Sequence, residues 1–530
     1  MTFTTRSLLI GCSALALAGC GADEIVSPGT GGNITINNPA PAPAPSPAPA
    51  PTPAPTVTAA DGCPTISNPT ALTDNGTISG PTGTYRRCTL PARFTASTSL
   101  PYIQGVLYEI NGEVAVGTDG GPAADASDGL SDTDVTLTIA PGVILVSSGS
   151  SYLLVNRGNE LQANGTAERP IIFTSLDNAR GFNSSVNASG QWGGVVLNGR
   201  APVTDCIAGG AATGTVQCER EVEGTLTRPR YGGATPGDSS GSLQYVQIRY
   251  SGFIVADGDE LQALTTGGIG SGTTLNHIMS YNSSDDGMEF FGGVNRAKYL
   301  ISVGAEDDSF DVDTGAQAYF QYVIAAQRDF GETDTIIELD DNNDLYNDTP
   351  RSYLALSNGT FIHRASSAGR AIRLRGEADA TIMNSVLVGS AAPCLQFDLL
   401  DTINAAEGSQ PGERGPLEFQ SVVLDCTTDT RSGSGVSADQ ALAAFTGGGS
   451  NNNANFTTTL TMTFINGSNE SGVAVFNPTA ISSFFDNPAQ IGAAYEGNAS
   501  WVNGWTCNSS TLSFGSGNTG NCSSLPVYPS

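Results

Sequence analysis

Asp285-Asp286-Gly287-Met288-Glu289 is followed 22 positions later by Asp307-Asp308-Ser309-Phe310-Asp311. The segments ahead of each aspartate doublet keep the same step. Leu275-Asn276-His277-Ile278-Met279 maps onto Ala297-Lys298-Tyr299-Leu300-Ile301, and a further 22 residues lead to Tyr319-Phe320-Gln321-Tyr322-Val323. A period of this size, with two or three short strands and no helix, predicts one turn of a parallel β-helix. A β-propeller would need a period of roughly 40 to 50 with four strands per blade.

Behind each doublet the strands align as a ladder: Met288-Glu289-Phe290-Phe291, Phe310-Asp311-Val312-Asp313, Ile337-Glu338-Leu339-Asp340 and Ile372-Arg373-Leu374-Arg375. Alternation along a strand turns Met288, Phe310, Ile337 and Ile372 inward, with Phe290, Val312, Leu339 and Leu374 beside them, and turns Glu289, Asp311, Glu338 and Arg373 outward. Short strand candidates also occupy 135–139, 143–146, 152–155, 170–173 and 194–197, and later coils are expected at 381–387, 417–424 and 459–465. The expected fold is therefore all-β: a right-handed single-stranded parallel β-helix with capped ends, preceded by a disordered Pro/Ala-rich tether.

The composition narrows the partners. The chain has 530 residues, 51 acidic against 22 basic, for a net charge of −29, and Lys298 is its only lysine. A surface this acidic repels nucleic-acid phosphates and anionic headgroups and favours divalent cations. Beyond Cys12 and Cys20, eight cysteines fall by sequence order into four local pairs: Cys63 with Cys88, Cys206 with Cys218, Cys394 with Cys426, and Cys507 with Cys522. That grouping predicts disulfides in an oxidising compartment. Residues 1–19 read as an export signal too short to span a bilayer. The signal ends in Leu17-Ala18-Gly19-Cys20, similar to the bacterial lipobox, and that resemblance makes Cys20 a lipid-modified N-terminus at the outer membrane. From Pro39 to Pro55 every second residue is proline, which holds the chain near polyproline II and gives a spacer of roughly 50 Å. The resulting division is a lipoprotein signal peptide (1–19), an anchor cysteine and linker (20–60), an N-terminal cap (61–125), a parallel β-helix (126–480) and a C-terminal cap (481–530).

Several longer stretches carry a family resemblance: Leu137-Thr138-Ile139-Ala140-Pro141-Gly142, Tyr152 to Gly158, Gly165 to Ser175, Gln191-Trp192-Gly193-Gly194, Tyr245 to Tyr250, Ser284 to Gly293, and Ile491-Gly492-Ala493 with Trp501 and Gly504-Trp505. In these the chain resembles a family of bacterial right-handed parallel β-helix lipoproteins over about residues 95 to 507. The resemblance implies fold and export route and no particular reaction.

The acidic ladder is the chemical feature. With coils about 4.8 Å apart, Glu289, Asp311 and Glu338 form a column in which each neighbouring pair repels by about 3 kcal/mol at an effective dielectric near 20. A hard cation that accepts several carboxylates would relieve this, so calcium is expected, held by Asp285, Asp286, Glu289, Asp307, Asp308, Asp311, Asp313, Glu338 and Asp340. The competing reading is a solvated acidic face, with Arg373 and Arg375 neutralising Glu338 and Asp340. With only His277 and His363 in the chain, a transition-metal site is not expected. His277 reads as a packed or surface strand residue rather than a general base, His363 as a residue beside a variable loop, and Trp192 as core or turn packing. Pectin-hydrolysing β-helix enzymes resemble the chain at Asp285-Asp286, but their Gly-His-Gly and Arg-Ile-Lys motifs do not occur. On that ground the reading weighs against catalysis. It favours an envelope protein that adheres to glycans, organises the surface or assists an outer-membrane receptor. The alternative is a polysaccharide lyase or hydrolase using Asp286, Asp308 and Arg373. The loops at 200–240, 325–350 and 398–416 are where specificity is expected.

Overall fold

In the computed structural model residues 56–528 are described, apart from short stretches at 126–128, 131, 257–258, 330–332, 342–347 and 365–368. The export signal, Cys20, the proline run, and Asn342, Asn343 and Asp344 lie outside the described residues. The chain folds as a parallel β-helix. Strands of successive coils pair in parallel from Arg86↔Val106 to Phe397↔Ser432, and an antiparallel hairpin, Thr73–Gly80 with Gly83–Thr89, opens the stack. The ladder therefore begins within 61–125, ahead of the expected start at 126.

The aligned rungs are observed as read. Glu289 pairs with Asp311, Asp311 with Glu338 and Glu338 with Arg373, while Phe290, Val312, Leu339 and Leu374 stack beside them in the core. One register is corrected. Leu275 pairs with Ala297, but Ala297 pairs with Phe320 and Arg296 with Tyr319, so the third segment stands 23 residues on. The extra residue is needed because a slip of one would turn Phe320 out of the core. Its ring instead lies 4.8 Å from Phe290.

Five of the long strands carry one residue in the left-handed region, Tyr245, His277, Tyr299, Tyr322 and Asn358, with φ between 50° and 62°, and Asn384, at 49°, stands between Asp379–Met383 and Val386–Phe397. Aromatic residues carry a steric cost there, and stacking offsets it. Tyr245, His277, Tyr299 and Tyr322 form a continuous pile with centroid separations of 4.2, 4.3 and 5.0 Å. His277 is thus a packing residue; burial pushes its pKa down to about 4 and keeps it neutral. Trp192 is fully buried and donates its indole N–H to Arg249 O at 2.8 Å.

The two ends are closed differently from the expectation. Helix α1, Ala438–Gly447, begins with a capping box at Ser437 and Gln440 and buries Ala441 and Phe445 against the last strands. It seals the C-terminal end. Residues 481–528 instead run along the flank, because the outward side chains Met279, Ile301, Val303 and Ile324 are apolar and need cover, which Trp505, Leu512 and Phe514 supply. The strap reaches the first coils, where Tyr528 packs edge-on to Tyr102. Thr459–Ile465 forms no coil; its Thr461↔Ile465 bridge is a local antiparallel turn within this covering segment.

The four disulfides join the cysteines that sequence order paired, and each ties a different part of the stack. Cys63–Cys88 fastens the entering chain to the second strand of the opening hairpin. Cys206–Cys218 closes a loop within the 200–240 insertion. Cys394–Cys426 links the neighbouring strands Val386–Phe397 and Val423–Ser432, where their register shifts between Gly389 and Pro393. Cys507–Cys522 closes a loop in the strap, and both of its cysteines are buried with Trp505 and Phe514 against the flank. That last bond therefore holds a flank cover, where closure of the C-terminal end was expected.

Candidate functional site

The turn that enters each rung sets the chemistry. Asp286 and Asp308 are turned inward and 5 % exposed; the carboxylate of Asp286 accepts the backbone N–H of Asp308 at 2.8 Å, and that of Asp308 accepts the N–H of Thr335 at 2.7 Å. Gly287 follows because a Cβ there would stand 2.6 Å from Ser309 O of the next coil. With the second aspartate tied to backbone, the first, Asp285 or Asp307, faces outward. Glu289 and Asp311 then rise from the rung strands. Together they line an open cleft of about 350 Å³, with Glu223, Glu260, Gln262 and Asp334 at its walls and Glu338, Arg373 and Arg375 also along it.

Carboxylate oxygens converge at three places. Asp285, Asp286 and Asp307 form one set, Asp286, Glu289 and Asp311 a second, and Asp307, Asp308 and Asp334 a third; within each set the oxygens lie no more than 4.8 Å apart. Burial, followed by mutual repulsion, pushes the pKa of Asp285 up to about 7. The same causes raise Asp307 to about 6 and hold Asp286, Glu289, Asp308 and Asp311 well above the usual carboxylate range. Oε2 of Glu289 and Oδ1 of Asp311 are buried and accept no hydrogen bond. Unsatisfied buried oxygens are costly. Oxygen-only donors, crowded and unsatisfied, fit a hard divalent cation, and these clusters could coordinate one.

The remaining expected ligands are placed differently. Glu338 accepts Arg375 at 2.5 Å and Arg373 at 3.4 Å, and Asp340 pairs with Arg375 at 3.3 Å. Arg373 also holds Asp398 at 3.0 Å. Asp313 accepts the N–H of Thr314 and stands outside the cleft lining. These three carboxylates, Asp313, Glu338 and Asp340, belong to none of the convergent sets. Of the alternative catalytic residues, Asp286 and Asp308 stand in the cleft with one oxygen committed to backbone, and Arg373 flanks it. The cleft lining contains none of Cys63, Cys88, Cys206, Cys218, Cys394, Cys426, Cys507 and Cys522; all eight are bonded in pairs and act on the scaffold.

Glu223 and Asp334 join the cleft from irregular segments, and Glu260 from the short antiparallel hairpin of Ile254–Ala256 with Asp259–Glu260; none of the three belongs to the repeat. Glu223 comes from the 200–240 insertion, which is stapled by Cys206–Cys218 and clasped by buried Arg157, bonded to Asp119 and Glu219 at 2.6 Å each. Gln262 bridges Glu223 and Asp285, donating to both at 3.1 Å. Asp334 is paired with Arg370 at 2.8 Å.

Comparison with curated proteins and with solved structures returns no match. A family model described as a pectate-lyase like β-helix domain matches residues 127–506. This corrects the expectation against catalysis: that expectation rested on two missing short motifs, whereas the match covers nearly the whole coil stack and names a lyase-like family. Strand register, an acidic cleft across consecutive coils and the extent of this match agree, and the chain belongs to the pectate-lyase-like β-helix domain family.

Proposed function

We propose that the chain is a calcium-dependent polysaccharide lyase whose cleft cleaves an anionic polymer. The observation that carries this reading is the convergence of Asp286, Glu289 and Asp311, with two buried oxygens lacking any donor, beside a pair of arginines. Asp285, Asp286, Glu289, Asp307, Asp308 and Asp311 would hold the cation. Bound calcium would supply positive charge that draws in a sugar carboxylate and offsets the negative charge that develops as the neighbouring C–H loses its proton to a cleft carboxylate outside the cation set, Glu223 or Glu260, and the glycosidic oxygen leaves as the double bond forms. Arg373 and Arg375 add fixed positive charge at the cleft's end. Contact with Glu338 and Asp340 drives the pKa of Arg375 further up, so it stays a cation and orients substrate rather than accepting a proton.

A second reading, a glycoside hydrolase, is favoured by Asp285 near 7 and Asp307 near 6, in the range that suits a general acid at neutral pH. Product analysis separates the two. Incubation with anionic and neutral glycans, in calcium and in chelator, should yield unsaturated chain ends from an anionic polymer with calcium alone. New reducing ends without unsaturation would establish the hydrolase, and intact polymer throughout would remove both.

The same proposal places the enzyme at the bacterial outer membrane, anchored by lipid on Cys20 and held off the surface by the proline spacer. Its support is the lipobox-like Leu17 to Cys20 and the alternation from Pro39 to Pro55. Replacing Cys20 with serine should release the protein from membranes of a producing cell.

A further inference from the structure

In a chain of net charge −29, an arginine left without a carboxylate partner requires a reason. Arg296 and Arg414 are both exposed, and neither forms an ion pair among the described residues. Each lies instead over a tyrosine: Arg296 at 5.9 Å from the Tyr319 centroid and Arg414 at 3.8 Å from that of Tyr353. The two rings are 5.9 Å apart. Register puts all of this on one outer face away from the acidic rungs. Arg296 pairs with Tyr319 in one column, and Gln317 pairs with Tyr353 in the next. Arg414 donates to Gln317 and so joins the columns. Below Arg414, the carboxyls of Asp379 and Glu413 are hydrogen-bonded to one another; burial, and then that bond, push Asp379 up to about 8, which lowers the negative charge beneath the guanidinium.

A guanidinium with free donors recognises carboxylate or sulfate in a fork. A half-buried tyrosine beside it offers an apolar plate to a sugar ring. We propose that the face running from Arg296 across Tyr319 and Gln317 to Arg414 is a second glycan-binding site, which takes the carboxylate or sulfate groups of an anionic sugar chain independently of the cation cleft. The inference rests on the polysaccharide reading for its class of ligand and not on catalysis. The remaining charge of the protein repels such a polymer, so recognition is local, within a Debye length of about 8 Å at 0.15 M salt.

The test is affinity electrophoresis of the full chain at that ionic strength, in chelator, through gels containing polygalacturonate, a sulfated galactan or neutral dextran. Retardation by at least one anionic polymer and none by dextran is expected; which polymer retards separates carboxylate from sulfate recognition. The R296Q/R414Q variant should bind about tenfold more weakly, the worth of one charge-assisted hydrogen bond. Y319A should weaken binding as well. Because Arg414 also bonds Gln317, R296Q alone is the variant whose folding is least disturbed, and it too should bind more weakly. D286N/D311N should bind as the unaltered protein does. No retardation in chelator, or retardation of R296Q/R414Q equal to that of the unaltered protein, would overturn the proposal. Cleavage without chelator-resistant binding would leave the enzyme and remove this face; binding without cleavage would do the reverse.

Discussion

The side chain of Asp286 accepts the backbone N–H of Asp308, one coil above, at 2.8 Å. The same carboxylate belongs to two of the three convergent oxygen sets. It is therefore both a tie between coils and part of the cleft, and the two roles separate by substitution. Asp286→Asn keeps an acceptor for the N–H and removes charge, so melting in chelator should be unchanged or higher. Asp286→Ala loses the bond and should cost about 1 to 3 kcal/mol. Both should blunt the stabilisation by calcium in thermal melts.

Chelation and restoration give the most direct check on the cation. Calcium at a hundredfold excess over its dissociation constant stabilises by about 2.7 kcal/mol through mass action alone. Melting temperature should fall in EDTA and return with calcium. Magnesium should not restore it, since crowded carboxylates of irregular geometry suit the larger ion. An unchanged melting curve would speak against any bound cation.

The pH dependence has a definite sign. Asp285 near 7 and Asp307 near 6 lie above the ordinary value of 3.8, so between about pH 4 and 7 the folded cleft binds more protons than the unfolded chain. Unfolding free energy in chelator then declines as pH rises through that window. Calcium should flatten the decline and release protons as it binds. His277 and His363, both pushed down to about 4, act oppositely, costing stability as pH falls from 6.5 towards 4. The cleft's share is obtained by difference from Asp285→Asn/Asp307→Asn, whose melts should be flatter.

Arg157 is wholly buried between Asp119 and Glu219. Arg157→Ala leaves Asp119 without its ion pair and Glu219 with only the exposed Arg230 at 3.3 Å, and should cost about 3 kcal/mol. It should also free the insertion that carries Glu223, seen as faster limited proteolysis within 205–230. Stability near that of the unaltered protein would show the clasp to be dispensable.

The parts of the molecule that repeat were legible, and those that do not were hidden. Glu289 over Asp311 over Glu338 follows from spacing alone, since the rung strands hold period two and a common register. The shift at Phe320 escaped because a one-residue insertion leaves the local pattern of apolar residues intact. Glu223 and Asp334 carry no periodic mark, and only folding of the insertions brings them to the cleft. The one signal for Glu223 was the pair Cys206 and Cys218, which announces a fixed loop without saying where it points. The strap was misplaced because its Trp501 and Trp505, with Cys507 and Cys522 beside them, read as closure of an end. The outer faces they cover, rich in Ile and Val, look from sequence like ordinary buried strands.

That strap carries Leu525 and Tyr528 back to Val57, Leu107 and Ile144, the earliest coils of the stack. Apolar surface made at the start of synthesis therefore waits for the final residues before it is sealed. Such a chain cannot mature coil by coil as it emerges. Its closing step is a contact between opposite ends of the sequence, of very long range and correspondingly slow, and a truncation of a few residues at the C-terminus would leave the opening coils, rather than the last ones, unprotected.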